Sequence, residues 1–216
     1  TNPTQTRFVD SKGEWIQAHE APLPQPWRGL ERLAQMAALA IDEVLEDVPS
    51  AGHAQIPLLL CVAEKQRPGR LADLDDALFG RIEDVLGTRF AQASAVVPQG
   101  RVGVAVALAQ ARTLIAQGAR QVVVAAADSL LHWPTLLHYE RAGRLLAPAN
   151  SDGFMPGEAA GALLVGPSEN IEGELLCTGI GLAMERAHVD SEQPLRGEGL
   201  ASAIKAALAD AGCEMQ

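Results

Sequence analysis

The sequence predicts a layered α/β fold, a mostly parallel sheet with helices on both faces. Ile56 to Ala63 and Gln121 to Ala127 are unbroken apolar runs of strand length with no alternation, the pattern of strands covered on both sides. Segments with apolar residues at three-and-four spacing lie between such runs, which is the helical period. The repeated strand–helix–strand order then calls for parallel pairing through right-handed crossovers.

Residues 1–28 read as a proline-rich N-terminal arm. They carry Trp15 and Trp27, and Pro22, Pro24 and Pro26 stand at alternate positions. Proline at that spacing excludes a helix and favours extended chain. From Gly29 a helix is expected, with Leu30, Leu33, Ala34, Ala37, Ile41, Val44, Leu45 and Val48 on one face, ending at Pro49-Ser50-Ala51-Gly52. Ile56 to Ala63 is the first buried strand. A second helix follows with Leu71, Leu74, Leu78, Ile82 and Val85 in register, and Asp73, Asp75 and Asp76 read as its solvated face. Gln92 to Val97 is a short strand, Gly103 to Gln117 a helix of small residues, and Gln121 to Ala127 a third strand. Asp128 to Glu158 is expected to be irregular. Ala159 to Val165 and Glu174 to Ile180 read as strands, and Gly197 to Ala211 as an amphipathic helix with Leu200, Ile204 and Leu208 inward.

Composition narrows the function. The 216 residues are 48% hydrophobic and 20% charged, so the chain is not disordered. Lys plus Arg is 17 against 27 Asp plus Glu, a formal net charge of -10, which opposes nucleic-acid binding because phosphate contacts need a basic face. No apolar run reaches the length of a membrane span. Cys61, Cys177 and Cys213 are widely spaced and show neither a disulfide framework nor zinc spacing, which fits a reducing, cytoplasmic setting. The chain starts Thr1-Asn2-Pro3 without Met and stops at Gln216 just past a helix-like run, so a piece of a longer protein is the expectation.

Two places carry special residues. Asp152 to Gly161 (DGFMPGEAAG) is a tight loop feeding a strand. It matches neither a Walker A loop nor a dinucleotide-binding turn, and taken locally it is a structural turn. Val97-Pro98-Gln99-Gly100-Arg101-Val102-Gly103 lies between a buried strand and a helix. Sites form at such turns at the carboxyl edge of α/β sheets, where a helix N-terminus offers free amides. An enzyme would place Cys or Ser there; Arg101 stays protonated and is no nucleophile. His132-Trp133-Pro134 and His138-Tyr139-Glu140-Arg141 lack the cysteine or paired carboxylates of a metal site and read as a segment capping the sheet. Glu185-Arg186, His188 and Asp190 read as a solvated loop.

Val122 to Ala127 followed by Asp128-Ser129, and then Asp152 to Val165, resemble the β-ketoacyl synthase family of the thiolase superfamily. Gly179-Ile180-Gly181 and the helix from Gly197 resemble the start of that family's second half. The likeness spans roughly residues 29 to 216 and is most specific over 152–165. It implies two similar α/β halves in five layers, 29–166 holding the first half and 167–216 the start of the second. A first strand is expected upstream of Thr1. It also implies a homodimer pairing near Gln92 to Val97 across its two-fold, or a heterodimer with a related synthase. An acyl carrier protein is an implied partner, and neither a cofactor nor a metal is implied.

The family reaction is a decarboxylating Claisen condensation of acyl thioesters, of fatty acid or polyketide type. Its nucleophilic cysteine sits at the start of the helix before the Val122 strand, and an ungapped count back from Gly118 puts that position on Arg101. Gly103 matches the small residue two places on. Gly103, Phe154 and Gly157 are the residues the resemblance implies for substrate binding. The family's acid/base histidines belong to later segments, and His132, His138 and His188 do not match them. Loading-type relatives carry Gln at the cysteine position, but Gln99 falls two residues early.

Without a thiolate the acyl group has no covalent resting place, and without the histidines there is no oxyanion support. The expectation is a degenerate relative serving as a dimer partner or an acyl- or carrier-binding subunit. The alternatives are an active 3-oxoacyl-ACP synthase-type acyltransferase, with Gln99 or Ser94 at the turn, and an unrelated α/β small-molecule binder.

Overall fold

The structure is a computed structural model that describes residues 3–148, 150–169, 171–188 and 191–213. Thr1, Asn2, Asp190 and Gln216 lie outside the described residues. The chain divides into two compact units, Thr1–Gly166 and Pro167–Gln216.

The first unit opens with an antiparallel hairpin, β1 (Thr4–Val9) and β2 (Trp15–Ala18). The arm expected through residue 28 is therefore a hairpin up to Ala18, followed by irregular chain from Glu20 to Arg28. β-branched and aromatic residues favour the strands, and the prolines are confined to the segment that follows. Asp10 Oδ1 closes the turn by accepting from the amides of Lys12 and Glu14 at 2.9 and 2.8 Å. Thr6 donates to the Ile16 carbonyl at 2.7 Å across the pair.

α1 (Gly29–Leu45) follows, with Leu33, Ala34, Ala37, Ile41 and Leu45 buried as the period requires. A single turn, α2 (Ser50–His53), leads to β3 (Leu58–Cys61). α3 (Ala77–Leu86) is shorter than its apolar spacing predicts, because Asp73 adopts a positive φ of 59° and Asp75 pairs with Arg70 at 2.5 Å. The acidic run thus forms the turn before the helix, not a solvated helix face. β4 (Ala95–Val97), a 3₁₀ turn at Gly100–Val102, α4 (Gly103–Ala116) and β5 (Val122–Ser129) come next. The stretch expected to be irregular contains α5 (Trp133–Arg141), started by Pro134 in its first turn, where the missing amide costs nothing. β6 (Glu158–Val165) ends the unit.

The sheet order is β4-β3-β5-β6. β3 runs parallel to both β4 and β5, and β6 is antiparallel to β5. β3 hydrogen-bonds directly to β5 from Leu58–Val123 to Cys61–Ala126, so no strand lies between them. Strand alternation sorts the core into two layers. Leu58, Leu60, Val123 and Ala125 face α1 and α3, whereas Leu59, Cys61, Val122 and Val124 face α4. This is the predicted α/β class, helices on both faces of a mostly parallel sheet.

In the second unit α6 (Glu198–Asp210) packs on residues 179–181. A Cβ at Gly179 or Gly181 would overlap the backbone of Ala207 or Ala203, so glycine is needed for this approach. Asp210 accepts from the Ile180 amide at 2.9 Å. The strand expected at Glu174 to Ile180 is not formed among the described residues; 174–178 are exposed, and the chain meets the helix at 179–181. Helix orientation also differs from expectation. Ala203 and Ala207 face the glycines, while Leu200 and Ile204, read as inward, are 66% and 48% exposed. No helix among the described residues is long and apolar enough to cross a membrane.

Candidate functional site

Because β3, β4 and β5 are parallel, their carboxyl ends share one edge of the sheet, and the turns leaving them meet there. The 3₁₀ turn Gly100–Val102 leads into α4, with Gln99 as its N-cap residue. The Gly100 amide donates to the Val62 carbonyl at 3.0 Å, and the Val62 amide to the Val97 carbonyl at 3.1 Å, which stitches the β3 and β4 turns together. Gly100 has φ +52°, a left-handed conformation that favours glycine, and a Cβ there would press on the tip of the Glu64 side chain.

A charged cluster fills this edge. Arg67, buried, donates from Nε to Glu64 Oε1 at 3.2 Å, from Nη2 to Glu64 Oε2 at 2.8 Å, and from Nη1 to Asp128 Oδ2. Burial opposes the Arg67 charge, but the bonds to Asp128 and Glu64 outweigh it and raise its pKa. Burial likewise pushes Glu64 up, yet the Arg67 bonds, with the charges of Arg67 and Arg101, hold it below the usual carboxylate range. Arg101 itself is exposed on the turn.

Cys61 lies directly under the start of α4. A Cβ at Gly103 would stand 3.2 Å from Cys61 Cβ and 3.6 Å from its Sγ. The residue is 3% exposed, and burial pushes its thiol up to about 11. At neutral pH it is a protonated thiol packed in a core, not a nucleophile.

Ser94 is not at the turn; its hydroxyl donates to the Ala91 carbonyl at 2.6 Å and accepts from the Leu58 amide at 2.9 Å. Phe154 packs edge-on to Tyr139 at 5.1 Å, beside Ile16, Leu136 and Leu145. Gly157 bridges to His19, whose carbonyl lies 3.2 Å from where a Cβ would be. Phe154 and Gly157 thus sit with the hairpin and α5, while Gly103 sits in the layer between β3 and α4. His132 caps α5, and burial moves its pKa down. His138 stacks edge-on with Tyr139 at 5.4 Å. Among the described residues no group of three or more His, Cys, Asp or Glu side chains is placed to hold a metal.

Sequence reasoning missed two charge assemblies. Glu64 and Arg67, three apart just after a buried strand, were the available signal for the first. The second is the buried Glu158 carboxylate, which accepts from Arg32 Nε at 2.7 Å, from Arg32 Nη2, from the Ala21 amide at 3.1 Å and from Ser129 Oγ at 2.9 Å. The Arg32 pKa is raised, first by its hydrogen bond to Glu158.

No family model matches the chain, and no curated protein matches it. Solved structures do. A β-ketoacyl synthase from Burkholderia phymatum STM815 is similar with a TM-score of 0.62 and 17% identity, over 91% of this chain and 59% of that one. A ketosynthase from module 6 of the bacillaene synthase of Bacillus subtilis 168 gives 0.54 and 14%, over 76% of this chain and 32% of that one. The HMG synthase of the curacin biosynthetic pathway, in complex with an acetyl donor-ACP, gives 0.52 and 17%, over 90% and 45%. The chain therefore shares with these structures a thiolase-like layered α/β fold. It spans under two thirds of the length of each of these structures.

Proposed function

We propose that the chain is a catalytically degenerate β-ketoacyl synthase-like protein of fatty acid or polyketide type metabolism. It works as the dimer partner of a related synthase or as a subunit that binds an acyl group or its carrier protein. Residues 29–166 correspond to the first half of the condensing fold and 167–216 to the opening of the second.

The carrying observation is the chemistry at the start of α4. The turn presents the exposed guanidinium of Arg101, and the nearby thiol, Cys61, is buried beneath Gly103 with its pKa pushed up to about 11. Acyl transfer needs an accessible thiolate or an activated hydroxyl at the helix N-terminus. A Glu64–Arg67–Asp128 cluster stands at this edge instead. Partnership draws support from the curacin HMG synthase, whose structure contains a donor-ACP. It also fits β4, whose second edge has no partner strand among the described residues and is suited to strand addition.

The test is association. The full chain is mixed with a cysteine-bearing β-ketoacyl synthase, and separately with an acyl carrier protein, and followed by sedimentation velocity. Complex formation with one of them is expected; failure to associate with either contradicts the partner role.

A further inference from the structure

A cavity of the first unit lined by three aromatic rings lies away from the α4 turn. It measures about 430 Å³ and is lined by Phe8, Trp27 and Trp133, by Arg7, Arg28 and Arg32, and by Ser129 and Glu158 at the facing ends of β5 and β6. β5 turns Ala125 and Ala127 toward α1, and Arg28 and Arg32 stand at the start of α1. The cavity therefore opens on the α1 side of the sheet, the side opposite α4. Its volume falls in the range of about 300–1,000 Å³ typical of small-molecule sites.

Charge accounting shows what it would hold. Glu158 is committed to Arg32, and Glu20 also acts on Arg32 by raising its pKa. Arg7 and Arg28 are exposed and make no ion pair or side-chain hydrogen bond among the described residues. His132, on the same wall, is shifted toward its neutral form by burial. The lining carries three guanidiniums against the Glu20 and Glu158 carboxylates, a local excess of one positive charge in a chain of formal net charge -10. Beside those cations the Phe8 and Trp133 rings lie nearly parallel, 15° apart with centroids at 6.3 Å. Flat apolar walls take a planar body, and guanidinium forks take a carboxylate or similar anion.

We propose that this cavity binds a small organic anion with a flat apolar body, the body against Trp27, Trp133 and Phe8 and the anion on Arg7 and Arg28. The site is separate from the position that Arg101 occupies and needs neither a partner nor catalysis.

Calorimetric titration of the full chain with 2-naphthoate, and with neutral 2-naphthamide of the same shape, tests it. Naphthoate is expected to bind one per chain, at least 10-fold more tightly than the amide. Arg7→Gln/Arg28→Gln is expected to lower naphthoate affinity at least 10-fold while leaving the amide unchanged. Both arginines are exposed and make no ion pair or side-chain hydrogen bond among the described residues, so the variant should melt as the parent does, and Arg28→Gln alone serves if the pair does not. No naphthoate binding, equal affinity for acid and amide, or naphthoate affinity unchanged in the variant each overturns the proposal. Naphthoate binding lost on Trp133→Leu supports it; naphthoate binding unaffected by that change overturns the placement.

Discussion

Cys61 packs directly beneath Gly103: a side-chain carbon at position 103 would stand 3.2 Å from the Cys61 Cβ and 3.6 Å from its Sγ. The Cys61 thiol beneath the helix start is thereby turned into core. Gly103→Ala should destabilise the chain by about 1–2 kcal/mol, the range of core overpacking, despite the better helix propensity of alanine. Urea unfolding checks this through the shift in midpoint at constant slope.

The same burial makes Cys61 a pH-dependent element. Its folded pKa is raised from 9.0 to about 11, so the native state holds the proton longer than the unfolded chain. The contribution is fully present below pH 9 and is lost as pH rises toward 11. Parent stability should fall over that window by about 2–3 kcal/mol more than that of Cys61→Ala, from the two-unit shift. Alkylation at pH 8 should label Cys177 and Cys213, which are exposed, and spare Cys61 until denaturant is added.

Glu158 is the most committed charge in the first unit, with no side-chain exposure and bonds to Arg32, Ala21 and Ser129. Removing one member of such a pair leaves a buried charge uncompensated. Glu158→Leu and Arg32→Met should each cost about 3–5 kcal/mol, and the double variant should recover part of that loss. Thermal melts of the four proteins in the cycle measure the coupling.

Arg67 ties Glu64 to Asp128. Its carboxylate partners are 39% and 46% exposed, so solvent screens what Arg67→Met leaves behind, and the expected loss is about 1–2 kcal/mol. The folded pKa of Glu64 is depressed, so its contribution is present above the unfolded carboxylate value and disappears as pH falls through the folded one. Acid unfolding of Arg67→Met should show a smaller pH dependence on the acid side than the parent.

The elements readable in the sequence are those with a strong period or an unbroken apolar run. α1 is one, with Leu33, Ala37 and Ile41 buried as spaced, and β3 and β5 are others. The errors arose where two solutions share one pattern. Leu200 and Ile204 have the helical spacing of an inward face, yet Ala203 and Ala207 face inward because Gly179 and Gly181 admit a closer approach there. Residues 174–180 have strand-like composition but form no ladder among the described residues; 174–178 are exposed, and the chain approaches α6 at Gly179 and Gly181. At the candidate site the strand-to-helix turn was legible from Gly100 and Gly103, whereas the Arg67 cluster was not, because Asp128 lies sixty-one residues away in sequence and only the parallel sheet brings them together.

If the chain is the degenerate relative proposed above, the start of α4 carries no working nucleophile. Incubating the full chain with an acyl thioester donor and reading its intact mass tests it directly, with Cys177→Ser/Cys213→Ser removing adventitious acylation of the exposed thiols. An unchanged mass is expected. A stoichiometric acyl adduct on that variant, lost again on substitution of a residue between Gln99 and Gly103 or of Cys61, would contradict it.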